Sequence, residues 1–435
     1  MELLGVIIIL GILILISFPL ILGLVKKTKQ EIKNSTKELI IDAAKDYYED
    51  NMTASYKTEG ITYCIGIDAL SDGGYLIEKL KDENFDDIRE TKKVKLVYHN
   101  GSFNYELADI CNSNMLTRNN IEVEIVTLDD GLYKSITDED RFIYRGSNPD
   151  NYISIKEGAN NVLYRIVSFE SDGTIKVVRN DSIGTIAWDS RTSESAGHRN
   201  NSSNTYCQYS GTYYGCNVWG NMTNTYYKGK LLSPNFYYEI YTDEKAITPL
   251  HQQSLEGTVT TNSSLNTYLN GEWYTNANLS PYTTEHIFNV GATTYTSQYT
   301  DENLGIDKEK DSEKFYTWSG RIGLLTSTEY KEASTYVGCT SVWNNYSGNS
   351  KNTTNPCAAN NWAFNETNQW TLTPSGTNQY GVMYFTQSGA FDEGIGAHQS
   401  YNVRPVFYLR STMVLKGSGT STDPYRLVGE SWKNH

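Results

Sequence analysis

Basic residues are the minority charge in this 435-residue chain: 37 Lys and Arg stand against 51 Asp and Glu, giving a formal net charge of −14 and a pI near 5.0. Phosphate backbones are gripped first by clustered Lys and Arg, so the balance argues against a broad nucleic-acid surface, and no nucleic-acid partner is expected. Long apolar runs are scarce too. One stretch, Leu3–Val25, holds 23 residues without a charge, and nothing after it approaches that length. The rest of the chain is water-facing and long enough for two to three domains. Cysteine is sparse, six in all, and no pair has the CxxC spacing of zinc or redox motifs. HExxH, GxSxG, phosphate-cradling glycine loops and EF-hand spacings are missing as well. His198, His251, His286 and His398 have no His or Cys at metal-ligand spacing, and the acidic pairs Asp301-Glu302 and Asp392-Glu393 belong to no spaced calcium loop. No enzymatic chemistry, no metal and no cofactor is therefore expected.

What is present begins at the N-terminus. Leu3–Val25 would measure about 35 Å as a helix at ~1.5 Å per residue, enough for a hydrocarbon core of about 30 Å. Glu2 stands before it, and Lys26, Lys27 and Lys29 follow it. The run is too long for a signal peptide and lacks a small-residue cleavage site, so the segment is expected to stay attached as a single membrane pass. The lysines alone would place the large domain in the cytoplasm. The even cysteine count points the other way, to an oxidising extracellular compartment. Beyond Lys29, Ile32, Thr36, Ile40, Ala43 and Tyr47 recur at three- and four-residue steps, which predicts an amphipathic continuation of the helix to residue 50. Gly11 and Pro19 interrupt the apolar half, Pro19 by removing a hydrogen bond.

After residue 51 the texture changes to short alternating segments. "KVKLVYHNGSFNYEL" reads as a hairpin turning at Asn100-Gly101, and "YCIGIDALSDGGYLIEKL" as a segment with a short helical piece through Tyr75 and Leu76. Further on, strands at Val162–Phe169 and Thr174–Arg179 flank Ser171-Asp172-Gly173. "WSGRIGLLTSTEY", "QWTLTPSG", "YGVMYFTQSGAF" and "YNVRPVFYLRS" then read as short strands between polar loops. Six cysteines allow 15 connectivities. Pairing neighbours, Cys64 with Cys111, Cys207 with Cys216 and Cys339 with Cys357, keeps each bridge inside one structural unit.

The order Glu2-Leu3-Leu4-Gly5, Gly11, Pro19 and then a basic-to-amphipathic extension resembles the N-terminal segment of type IV pilins and pseudopilins of Gram-positive bacteria. The resemblance implies a leader removed by a dedicated peptidase, N-terminal methylation, and assembly of subunits into a filament. Glu2 would then pair with the terminal amine of a neighbouring subunit, Gly11 and Pro19 would mark where the segment softens, and the partners would be other pilin subunits, the assembly machinery and the membrane. With only Met1 before Glu2, the resemblance places the true start upstream. Residues 141–428 resemble a domain of Gram-positive surface proteins and, more distantly, the C-type-lectin-like fold shared with formylglycine-generating enzymes.

The expected architecture is thus α+β. A long N-terminal helix (1–51, membrane span 3–25, amphipathic part 26–50) leads to a small antiparallel pilin-type head (52–137), a larger β-rich lectin-like distal domain (138–428) and a tail (429–435). "WTLTP" and "NVRPVFYL" would be adjacent core strands with Trp370 and Arg404 structural, and loops 190–225 and 275–315 would decorate them. Trp343, Asn361, Trp362, Asp392 and Glu393, in loops near that core, are the candidate contacts for a glycan or host-surface ligand. The chain carries 34 Tyr and 8 Trp, a composition suited to stacking on sugar rings. The expected role is a minor or tip pilus subunit at the cell surface. The alternative is a membrane-anchored binding protein that never polymerises.

Overall fold

In a computed structural model of the chain, the described residues are 35–51, 57, 59–76, 92–108, 111, 115–135, 138, 140–190, 208–209, 212–213, 215–220, 225–227, 230–232, 239–243, 246–249, 262–291, 313–314, 317–336, 356–375, 380–389 and 391–428, with backbone alone for 68, 208–209, 212–213, 225–227, 230–232, 239–243, 246–249, 356 and 391–395. Glu2, Gly11, Pro19 and the expected span 3–25 lie outside them. The chain divides into two units, Met1–Thr117 and Arg118–His435.

The α+β expectation, organised around a long N-terminal helix, is corrected. The fold is mostly β, with 41% strand against 19% helix, and among the described residues no helix is long and apolar enough to cross a membrane. The described helical stretch nearest the N-terminus covers 35–51, and the helices after it run only four to six residues. The physical reason lies in the sequence after residue 51, where apolar residues come in short alternating runs bounded by Gly, Asn and Ser, which favour sheets over helices.

In the first unit, helix α1 (35–51) turns Ile40, Ala43, Ala44 and Tyr48 inward and leaves Lys37, Glu38, Asp42 and Lys45 in water. That stripe follows the three- and four-residue steps expected, although Tyr48 rather than Tyr47 is its most buried ring. The stripe packs with strands β1 (Ile61–Gly66), β2 (Lys93–His99) and β3 (Ser102–Ala108) and with the short helix α2 (Ile67–Asp72). Strand β1 runs antiparallel to β2 on one side and to β4 (Met115–Arg118) on the other, while β3 pairs with β2. The β2–β3 turn sits where Asn100-Gly101 predicted it. Both residues have positive φ, 51° and 82°, a geometry Asn and Gly adopt at little cost. Ile65, Val94, Leu96, Ile67 and Leu70 fill the space under α1. Each such side chain contributes about 1.5–3 kcal/mol on leaving water. Cys64 on β1 is bonded to Cys111, across 47 residues of sequence, so the first expected pairing holds.

The second unit opens with β5 (Ile121–Glu124), then the antiparallel hairpin β6 (Gly131–Lys134) and β7 (Phe142–Arg145). The expected boundary at 137/138 therefore falls inside a hairpin whose second strand also pairs with β9 (Asn160–Phe169). Strand β9 is flanked by β8 (Tyr152–Glu157) and β10 (Ile175–Arg179). The β9–β10 turn uses Gly173 at φ 83°, and the Asp172 carboxylate accepts from both the Thr174 amide and its hydroxyl.

The large sheet continues from β10 through Val406–Leu409 to Thr283–Thr284, and from β8 through Tyr425–Leu427 to Leu415–Lys416. Tyr425–Leu427 runs parallel to β8, with Tyr425 opposite Ile153. A second sheet has the order β11 (Thr185–Ala187), Ser400–Asn402, Gln369–Pro374, Gly381–Phe385, Phe391–Gly396.

"WTLTP" and "NVRPVFYL" are buried strands, but in different sheets. Gln369 pairs with Asn402, after which the chain passes Pro405 and enters the large sheet at Val406. Proline offers no N–H to a ladder, which suits a crossing between sheets. Two further expectations change. "LLTSTEY" is not a strand to its end: Ser327–Glu332 is a helix whose Thr326 and Glu329 form a capping box. Residues 275–290, expected as loop, complete a helical stretch that starts at Ser264 and then form strands Thr283–Thr284 and His286–Asn289.

Candidate functional site: two buried polar clusters

The sequence candidates scatter. Trp343 and the acidic pair Asp301-Glu302 lie outside the described residues, and Asp392 and Glu393 are placed on strand Phe391–Gly396 by backbone alone. Asn361 and Trp362 are not on the surface, being 3% and 5% exposed. The Asn361 amide donates to the Tyr330 carbonyl at 2.6 Å and its oxygen accepts from the Ala363 amide at 2.9 Å. The Trp362 indole donates to the Tyr144 carbonyl at 2.8 Å. Both are buried loop residues near the core, with these polar atoms committed within the fold. Trp370 and Arg404 are buried, with the Trp370 indole donating to the Ile186 carbonyl at 2.9 Å.

His286 lies flat against the Tyr408 ring, centroids 3.6 Å apart, with its Nε2 3.3 Å from Asp172. His398 meets Gln399, and His198 and His251 are outside the described residues. Among the described residues no three His, Cys, Asp or Glu side chains are grouped to hold a metal. Cys216 and Cys357 are disulfide-bonded, while Cys207 and Cys339 lie outside the described residues.

Two clusters that sequence reasoning did not assemble stand out. The first joins β7, β9, β10 and helix Ser327–Glu332. The Arg141 guanidinium reaches Glu170 at 3.1 Å, Glu329 at 3.1 Å and Glu332 at 3.3 Å, and donates to the Ser168 hydroxyl at 3.0 Å. Lys176 donates to the same Glu329 oxygen. The other Glu329 oxygen accepts from the Thr326 amide at 3.1 Å, closing the helix cap.

Burial alone would discharge these groups, but the opposite charges prevail. Arg141 and Lys176 are held above their ordinary ranges by the surrounding glutamates, and Glu329 is held below its own by the Lys176 and Arg141 cations. The arrangement is a docking joint that carries its own counter-charge. No single stretch encoded it, because its members come from distant segments; only the Thr326-x-x-Glu329 capping pattern was readable locally.

The second cluster gathers at Asn361–Ala363. Arg165 on β9 is 4% exposed. Its Nε donates to Asn151 Oδ1 at 2.5 Å and its Nη2 to the Pro149 carbonyl at 3.2 Å. The guanidinium lies 3.7 Å from the Tyr152 ring centroid and 5.2 Å from that of Trp362. Arg404 is 2% exposed and donates to the Arg179 carbonyl at 2.8 Å and the Ala363 carbonyl at 2.7 Å. Every one of these acceptors is neutral. Burial pulls both arginines down to about 10, and for Arg404 the neighbouring Arg165 charge adds to the effect. This is a positive, donor-rich cluster in a chain whose net charge is negative.

Architecturally, then, the protein is a two-unit, mostly β molecule with a small disulfide-closed unit and a larger unit built on two principal sheets. The model of a domain of unknown function (DUF6273) matches residues 231–411, less than half of the 435 residues. The matched stretch contains Glu329, Glu332, Asn361, Trp362 and Arg404, while Arg141, Arg165, Glu170 and Lys176 precede it. No curated protein and no solved structure matches the chain.

Proposed function

We propose that the protein is a pilin-like subunit of a Gram-positive surface filament, in a minor or tip position, and that its larger unit binds a glycan or another surface ligand. The observation carrying this reading is the small unit. An amphipathic helix is laid along an antiparallel sheet and the sheet is closed by Cys64–Cys111, the arrangement expected from the pilin resemblance. The sequence before it supplies Glu2 and an uncharged run suited to subunit packing in a membrane or filament; intramembrane carboxylates are functional candidates by default. The partners on this reading are other pilin subunits and the assembly machinery. The location is the cell surface, and the role is binding rather than catalysis.

Glu2→Ala in cells tests the assembly half. Incorporation into sheared filaments should collapse while the protein remains in the membrane fraction. Unchanged incorporation refutes assembly through Glu2. The size of the second unit, Arg118–His435 against Met1–Thr117, favours one alternative, an anchored binding protein that never polymerises. On that reading sheared filaments contain none of the wild-type protein.

A further inference from the structure

The two buried clusters differ in one respect. Arg141 and Lys176 are each met by carboxylates, whereas among the described residues no carboxylate lies within 4.0 Å of Arg165 or Arg404. A buried guanidinium without a counter-charge costs several times what a paired one does, because its desolvation is not repaid.

Neutral carbonyls and two aromatic rings offset part of that cost. They do not exhaust the donors. Each guanidinium carries five N–H groups in a planar fork. Arg165 uses Nε and Nη2, Arg404 uses Nε and Nη1, and the remaining nitrogens, Arg165 Nη1 and Arg404 Nη2, make no hydrogen bond among the described residues.

Strand register brings the pair together. Arg165 stands opposite Val178 on β10, and Arg404 reaches the carbonyl of the next residue, Arg179. Both side chains then converge on consecutive residues: Arg165 on the Trp362 ring and Arg404 on the Ala363 carbonyl. The charges facing them from the packed elements are Asp150 before β8 and Asp181 after β10, both exposed and acting at a distance. Tyr152, Tyr330 and Trp362 complete the surroundings.

We propose that Arg165 and Arg404 hold one small oxyanion, a carboxylate or a phosphate-like group, at Asn361–Ala363. One unbonded terminal nitrogen from each arginine, with the two positive charges, supplies charge-assisted donors for the oxygens of such an anion. The site is independent of filament assembly, and the bound anion supplies the counter-charge that the described residues withhold from this cluster.

The test uses the full chain, titrated with sodium phosphate and separately with sodium acetate, against sodium chloride at equal ionic strength, by calorimetry and thermal unfolding. The expected result is one saturable site per chain and a rise in Tm beyond that in chloride, since a ligand confined to the folded state stabilises it. Response to phosphate or to acetate identifies which oxyanion the site takes. Arg165→Gln should weaken binding at least ten-fold, while Arg410→Gln, an equal loss of charge at an exposed arginine, should leave it unchanged. Indistinguishable behaviour in all three salts overturns the proposal, as does full binding by Arg165→Gln. Should that variant fail to fold, the wild-type chain decides alone: competition of phosphate and acetate for one site supports the proposal, and absence of any saturable response overturns it.

Discussion

Removing the charge of Glu329 while keeping its shape puts the buried joint to a quantitative test. In Glu329→Gln, Lys176 loses the carboxylate it donates to and Arg141 loses one of three, keeping Glu170 and Glu332. Breaking a buried pair by neutralising one member costs about 3–5 kcal/mol, because a charge is left without its partner. That is a large share of a total stability of about 5–15 kcal/mol. Glu332→Gln is the internal control. It removes the 3.3 Å contact to Arg141 but leaves each cation a carboxylate, so about 1–3 kcal/mol is expected.

Urea unfolding followed by tryptophan fluorescence reads this joint cleanly, since all eight tryptophans lie in Arg118–His435. A Glu329→Gln loss under about 1 kcal/mol, or a Glu332→Gln loss as large as that of Glu329→Gln, would refute the reasoning. The pH dependence follows from the same groups. Glu329 is held below its usual 4.5, so its contribution is complete above that pH and disappears as pH falls through the lower folded value. Lys176 is held above its usual 10.5, so its contribution is complete below that pH and disappears only as pH climbs beyond it.

Other perturbations separate the two units. Replacing Cys64 and Cys111 by Ser opens a loop of 47 residues, which the chain-entropy estimate puts at about 4 kcal/mol; near-UV tyrosine dichroism should show the first unit melting earlier while tryptophan fluorescence is unmoved. Ile40→Ala removes a fully buried side chain from α1 and should cost the same unit about 2–5 kcal/mol in urea unfolding. Trp362→Phe keeps the ring against Arg165 but loses the 2.8 Å bond to the Tyr144 carbonyl, leaving a buried acceptor; about 1–3 kcal/mol is expected in the tryptophan-detected transition, and no change would show that carbonyl to be satisfied otherwise.

Local chemistry was legible where it acts over a few residues. Asn100-Gly101 and Gly173 announce their turns because few other residues tolerate those backbone angles, Asp172 because its carboxylate accepts from Thr174 across the turn, and the α1 stripe is visible because it repeats over several turns. Ser327–Glu332 was hidden for the opposite reason. All six residues are buried, so no polar face alternates with an apolar one, and a six-residue helix is too short to display a period. Its capping residues were the available sign, masked by the apolar run Ile322–Leu325 before them. The clusters around Arg141 and Arg165 were beyond reach, since their members approach only through strand order in the large sheet. Asn361 and Trp362 were picked out as loop residues with suitable chemistry, yet whether a loop faces water or the interior is decided by what packs over it.

The parallel strand Tyr425–Leu427 carries a consequence for biogenesis. It lies against β8, and Val406–Leu409 lies against β10, so two inner positions of the large sheet are filled by residues far along the sequence from β8, β9 and β10. Contacts of such long sequence separation form late and slowly. Until those residues arrive, the outer edges of β8 and β10 stay open. A sheet left with open edges is prone to pair wrongly, so folding of this unit calls for protection of those edges until residues 406–427 are in place.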